Sequence, residues 1–270
     1  MKAVWETTTR AVQDIQSRPQ YHSATFLHKL FGTMREEKRK LADHRVIGNA
    51  ITLFLGGTDT SQKALIVAFY FLATRPEIQA ELYEEANSID WEKSTMDDLY
   101  VQTPRLKSFL HEIHRFHAFP MMMLETQDTI PFCKNHELGK RQNLFILIRY
   151  CSIQKIAPSK DVPQSDGIAP PHEFDHRRYL VRDPQTGQVT GSVSPTTRKG
   201  AFLNFGHGVR SCPGRRYSEL ISYCVMISAL QHFHMTLDPL LQDKVDFVYD
   251  AVMLSPKQDI RLILAPRSKK

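Results

Sequence analysis

Cysteine is sparse in this chain: Cys133, Cys151, Cys212 and Cys224 are spread over 270 residues, and none forms a CxxC pair. That spacing excludes a disulfide framework and a zinc finger or ribbon, and it suits a reducing or cytosol-facing setting. Long apolar runs are equally scarce. The best two, Val46–Thr58 and Ala64–Thr74, are separated by Asp59 and Lys63. Each is shorter than the ~20 apolar residues a bilayer span needs, so no membrane span is expected. The first residues, MKAVWETTTRAVQDIQ, lack the apolar centre of a signal peptide or anchor. The 12 histidines are scattered without an HExxH, so a metal site built on histidines is not expected. The net charge of +6 comes without a zinc-finger, RNP or helix-turn-helix signature, so a nucleic-acid partner is not expected. No internal repeat or low-complexity stretch is present.

What remains is a chain that is 41% hydrophobic, enough for a sizeable core. Apolar positions recur at helical spacing over residues 1–41, with a break at Arg18-Pro19. One long helical pattern, read as a buried helix, runs from Asp43 to Ala73 and stops at Arg75-Pro76. Further helices are predicted over 77–88, 104–116 and 215–233. The stretch 126–151 turns to short apolar runs and reads as strand, as do Ile260, Leu262 and Leu264. Residues 157–200 are rich in Pro, Gly, Ser and Asp and read mostly as loop. The fold class is mainly α with a small β-sheet.

The most informative segment is Phe205-Gly206-His207-Gly208-Val209-Arg210-Ser211-Cys212-Pro213-Gly214. Glycines let the backbone turn tightly and approach a ligand closely. A cysteine just before a helix is favoured as thiolate by the free N–H groups of that helix. Arg210 adds a positive charge nearby. Such a cysteine suits a metal whose other ligands are not protein groups.

A second constellation lies in the long helix, at Gly56-Gly57-Thr58-Asp59-Thr60-Ser61. Adjacent glycines inside a helix cost about 1 kcal/mol each against alanine, so they need a reason. Hydroxyls that bond back to the helix carbonyls can bend it. Gly56, Asp59 and Thr60 fall on one face, setting a bare backbone patch beside an acid and an alcohol. A third constellation is Glu112-Ile113-His114-Arg115, whose spacing lets carboxylate and guanidinium face the same way.

Taken together, these segments resemble the cytochrome P-450 family. Phe205, Gly208, Arg210, Cys212 and Gly214 fill the fixed places of its haem-binding loop, with Ser218 where an alanine is usual. The resemblance implies haem as cofactor, with Cys212 as axial iron ligand and Phe205, Arg210 and Gly214 around it. Asp59 and Thr60 look like the family's proton-relay pair on the oxygen-binding helix. Glu112 and Arg115 look like its structural Glu-x-x-Arg, completed by Arg178 after Phe174, with His176 and Arg177 where proline and glutamate are common. The motifs stand in the family's order.

The resemblance covers 43–265, with 1–42 weakly matched, and implies a single partial domain over 1–270. The anchor, the helix over the haem and much of the substrate roof are not in this stretch. Leu124 and Glu125 stand where an arginine often pairs with a haem propionate. A closed haem pocket is therefore not expected from these residues alone. The implied function is a monooxygenase that takes O2 and electrons from NADPH, through a reductase or ferredoxin, to a small lipophilic substrate in metabolite biosynthesis. Arg215 and Arg216 could dock an acidic electron-transfer partner. The alternatives are a truncated, non-catalytic remnant or interaction fragment, and a relative that rearranges its substrate without external electrons. No address signal fixes the location. The resemblance implies a cytosol-facing, endoplasmic-reticulum-associated protein, although the anchor is absent. Met121-Met122-Met123 could line a pliable pocket, with core packing the plainer reading. His207 could touch the haem edge or face solvent.

Overall fold

The computed structural model describes residues 2–17, 43–117, 121–132, 134–148, 168–170, 172–194, 202–241, 245–250 and 253–267. The chain forms two compact units, Met1–Thr60 and Ser61–Lys270. The first holds α1 (Lys2–Ser17) and the opening turns of α2 (Asp43–Ala73), whose remainder belongs to the second. In those opening turns Val46, Ile47 and Ala50 are buried. The expectation of a wholly buried helix fails one turn later, because Phe54 is 59% exposed and Leu55 44%.

In the second unit, α2 continues with Val67, Ala68, Phe71 and Leu72 buried at helical spacing. It ends before Pro76, which opens α3 (Pro76–Asn87) at a position where the missing N–H costs nothing. A short α4 (Met96–Gln102) follows, started by a capping box in which Thr95 and Asp98 satisfy each other's backbone N–H. Then comes α5 (Pro104–Phe116), again opened by proline. Leu106, Phe109, Leu110 and Ile113 of α5 meet Leu82 and Ala86 of α3 in one core. The later α6 (Arg215–His232) completes it with Tyr223, Met226, Ile227 and Leu230.

The strands form antiparallel pairs: β1 (Met122–Glu125) with β4 (Asn143–Ile146), β2 (Ile130–Phe132) with β3 (His136–Leu138), and β5 (Leu180–Arg182) with β6 (Val189–Ser192). Towards the C-terminus β7 (Phe233–Leu237) pairs with β10 (Leu262–Pro266), and β8 (Phe247–Asp250) with β9 (Met253–Pro256). The β5–β6 hairpin is a strand pair inside 157–200, whose other described residues are turn and loop as expected. Asp183 makes its turn, its Oδ1 accepting from the N–H groups of Gln185 and Thr186, before Gly187 at φ +69°. Met121 and Met123 are exposed and Met122 half-buried, so two of the three methionines are not core packing.

Gln79 is buried inside this apolar assembly. Its side chain donates to the carbonyls of Leu72 and Met235 and accepts from the Met235 N–H, tying α3 to β7. Among the described residues, no helix is long and apolar enough to cross a membrane.

Candidate functional site

The loop that carries Cys212 is held by its own backbone. The Cys212 N–H donates to the Phe205 carbonyl at 2.6 Å, and Gly206 N–H to the Leu203 carbonyl at 2.8 Å. Gly206 and Gly208 adopt φ +71° and +62°, which a side chain would resist. A single turn of 3-10 helix, Gly208–Arg210, leads to Cys212, and Gly214 caps the start of α6. Cys212 is exposed. A Cβ at Gly214 would lie 3.8 Å from Cys212 Sγ, so glycine leaves that flank of the sulfur bare. The side chain of Arg210 lies outside the described residues.

Phe205 is the loop's anchor. Its ring meets His114 edge-on at 5.1 Å, and the Arg215 guanidinium sits 5.5 Å from its centroid. Arg215 is also held by Glu219, one helical turn on, at 2.9 Å. The sequence reading assigned the cation near the loop to Arg210 and overlooked this pair; its i, i+4 spacing was the available signal. Asn204 adds a side-chain hydrogen bond to the His114 carbonyl. Helix α5 thus buttresses the loop from below.

The same helix carries the Glu112 cluster. Glu112, fully buried, accepts from Arg115 Nη2 at 2.6 Å and Nε at 2.7 Å, and from Arg178 Nε at 3.0 Å. The Asp175 N–H adds a further bond at 2.9 Å. Arg178 also caps the carbonyls of Ala169, Pro170 and Glu173. Both substituted positions have partners. His176 meets Glu81 at 3.1 Å and Arg177 meets Asp175 at 3.0 Å. Burial alone would raise the Asp175 carboxyl, but hydrogen bonds from the Arg177 side chain and from two backbone N–H groups hold it below its ordinary value.

In the first unit, Thr60 Oγ1 donates to the Gly56 carbonyl at 2.5 Å, the back-bonding expected from the motif. Asp59 is exposed and Thr60 half-buried. A Cβ at Gly56 would meet nothing within 4 Å, so no neighbouring side chain or backbone requires glycine there. Gly56→Ala should therefore raise stability by up to about 1 kcal/mol through helix propensity. A thermal melt that fell instead would reveal a packing role. Beyond Thr60, in the second unit, Ser61 Oγ donates to Ser218 Oγ at 3.5 Å, joining α2 to α6. Small side chains at both positions permit that approach.

Two histidines of α5 are buried and neutral. His111 is pushed down to about 3 by burial and by the neighbouring His114, Lys107 and Arg215. Burial, with His117 and Arg215, lowers His114 to about 4. Both folded values lie below that of a free imidazole, so neither residue changes stability above about pH 6.5. Below it the unfolded chain takes up protons that the folded chain refuses. Stability should fall by on the order of a few kcal/mol by pH 5, read as a drop in urea midpoint. Equal midpoints at pH 7.5 and 5 would contradict the burial of both rings.

An exposed thiol on a glycine-flanked turn at a helix start can supply one thiolate to an iron whose other ligands come from a cofactor. The residues present therefore fit haem at Cys212. Residues 1–130 and 169–263 match the sequence model of the family described as Cytochrome P450. Cytochrome P450 monooxygenase janQ of Penicillium janthinellum is 26% identical over 210 residues, 76% of this chain and 39% of that protein. The mitochondrial 25-hydroxyvitamin D-1 alpha hydroxylase of Homo sapiens is 29% identical over 219 residues, 80% of this chain and 38% of its own length. Among solved structures, the cytochrome P450DA heme domain superposes with a TM-score of 0.76 at 18% identity, over 98% of this chain and 54% of that one. The chain thus spans about two fifths of the length of these curated relatives.

Proposed function

Since this chain belongs to the cytochrome P450 family, we propose that it carries the thiolate ligand and proton-relay residues of a haem-dependent monooxygenase acting on a small lipophilic metabolite. The observation that supports this reading best is the Cys212 turn, with its exposed sulfur, its two positive-φ glycines and its support from Phe205. Cys212 would hold the haem iron, and haem so ligated supplies reductive activation of O2. Electrons would come from NADPH through a reductase or ferredoxin. Exposed Arg216 is the more available basic contact for an acidic carrier, because Arg215 is already engaged by Glu219.

The chain's own residues have separable tasks. Cys212 Sγ binds the cofactor, and the Phe205–Arg215 stack keeps the loop from shifting. Gly56 leaves room beside α2. Thr60 Oγ1 holds a proton that it now donates to the Gly56 carbonyl, and a turn about χ1 would offer it to a bound ligand. Asp59, exposed to solvent, would resupply that proton.

Thr60→Ala is the test, using haem-loaded protein supplied with NADPH and a reductase. Product formation should fall at least about tenfold while NADPH consumption persists and peroxide release rises, because a proton arrives in the wrong place. Haem content should not change. If electrons still couple to product as in the parent protein, the relay role is wrong. If the loaded parent protein shows no NADPH-driven oxidation of any lipophilic substrate, the monooxygenase reading itself fails.

A further inference from the structure

Helices α4, α5 and α6 line a half-open cavity of about 180 Å³ whose walls do not include Cys212, Asp59 or Thr60. Its lining includes Tyr100, Lys107, His111, Arg215, Ser222 and Tyr223. Two of these polar side chains are deeply buried yet unpartnered: His111 at Nδ1, with the residue 7% exposed, and Tyr223 at Oη, with the residue 2% exposed. Buried polar atoms without partners are rare and costly, and two lining one cavity point to a molecule that satisfies both.

The chemistry of that molecule follows from the lining. Among the lining residues, Lys107 and Arg215 stand with one carboxylate, Glu219, an excess of one positive charge. Lys107 Nζ lies 5.6 Å from the Tyr100 ring centroid, and Tyr100 packs edge-on against Tyr223 at 4.8 Å. Burial, with Tyr100, Glu219 and Glu85 nearby, raises the Tyr223 phenol well above its ordinary value, so Oη–H stays a donor. His111 is neutral at physiological pH, and its buried Nδ1 has no hydrogen-bond partner. The site thus offers two basic side chains, a hydroxyl donor and an unpartnered imidazole nitrogen.

We propose that this cavity binds a small monoanion carrying its own hydroxyl, a hydroxycarboxylate by chemical class. The carboxylate would accept from Lys107, Arg215 and Tyr223 Oη, and the hydroxyl, both donor and acceptor, would meet His111 Nδ1 in either tautomer. A plain carboxylate seated on the cations would have no second group for the imidazole, and a neutral alcohol would leave the cations unmatched.

Lactate and acetate are the probes, followed through the histidine ring resonances of the intact chain. Lactate should shift the His111 signals saturably, and acetate should bind at least about fivefold more weakly, since it has no hydroxyl for the imidazole. Tyr223→Phe should weaken lactate at least about fivefold while leaving the ligand-free fold intact, because that hydroxyl has no protein partner to lose. Lys107→Gln, on the rim, should weaken both anions. The proposal is overturned if lactate gives no saturable shift below about 10 mM. It is equally overturned if acetate binds as tightly as lactate, or if both variants bind lactate like the parent chain.

Discussion

Cys212→Ala should abolish the red-shifted Soret band of the reduced, carbon-monoxide-treated protein completely, whereas Cys224→Ala should leave it in place. The two cysteines are the thiols among the described residues, and only their surroundings separate them. Cys224 lies part-buried within α6, one side chain among a helix's packing. Cys212 stands exposed at the end of a turn that its own N–H closes onto Phe205. Its sulfur makes no hydrogen bond on which the fold depends, so truncation to alanine should shift stability by less than about 0.5 kcal/mol. That separation makes the experiment decisive, since a lost band in a protein with unchanged far-UV circular dichroism reports ligation and not unfolding. Cys212→His should move the band instead of removing it, because an imidazole nitrogen can also ligate iron. A normal thiolate spectrum from Cys212→Ala would show that the ligand lies elsewhere.

The residues that sequence reasoning found are those whose role depends on neighbours a few positions away. The spacing of Leu106, Phe109, Leu110 and Ile113 marks the buried face of α5 without any tertiary knowledge, and Pro104 marks its start. The Cys212 turn is similar, because its glycines, cysteine and following helix are contiguous. Thr60 back-bonding to Gly56 is written in a four-residue interval.

What escaped has the opposite character. Gln79 reads as an ordinary polar helix position, yet it is fully buried because β7, 156 residues later, brings the Met235 backbone against it. The β5–β6 hairpin escaped because Leu-Val-Arg and Val-Thr-Gly-Ser show no alternation of apolar and polar residues, and one face is not a continuous core. Phe54 and Leu55 were read as buried on hydropathy alone, which cannot tell a core face from an exposed one. The anion cavity needed both kinds of information. His111 and Tyr223 are unremarkable in sequence, and only the meeting of α5 with α6 leaves their polar atoms without partners.

Glu112→Ala should destabilise the protein by about 3–5 kcal/mol, a large share of the 5–15 kcal/mol that holds a typical domain folded. The substitution removes the carboxylate that faces two guanidinium groups, of which Arg115 is 5% exposed and Arg178 13%. Arg115 would keep the Glu173 carbonyl but lose the carboxylate that now binds two of its nitrogens at 5% exposure. Arg178 would fare better, since the carbonyls of Ala169, Pro170 and Glu173 still accept from it and water can reach it. Arg178→Ala should accordingly cost less than Arg115→Ala. Arg115→Lys should not rescue the site, because an ammonium cannot reproduce the paired bonds to both carboxylate oxygens. The Asp175 N–H would also lose its acceptor, so the 172–178 turn should loosen from α5 along with the cluster. Urea midpoints for the three alanine variants give the order directly. A loss below about 1 kcal/mol for Glu112→Ala would mean that the buried charges are not held by this carboxylate, and the cluster would then have to be read as a surface-type ion pair.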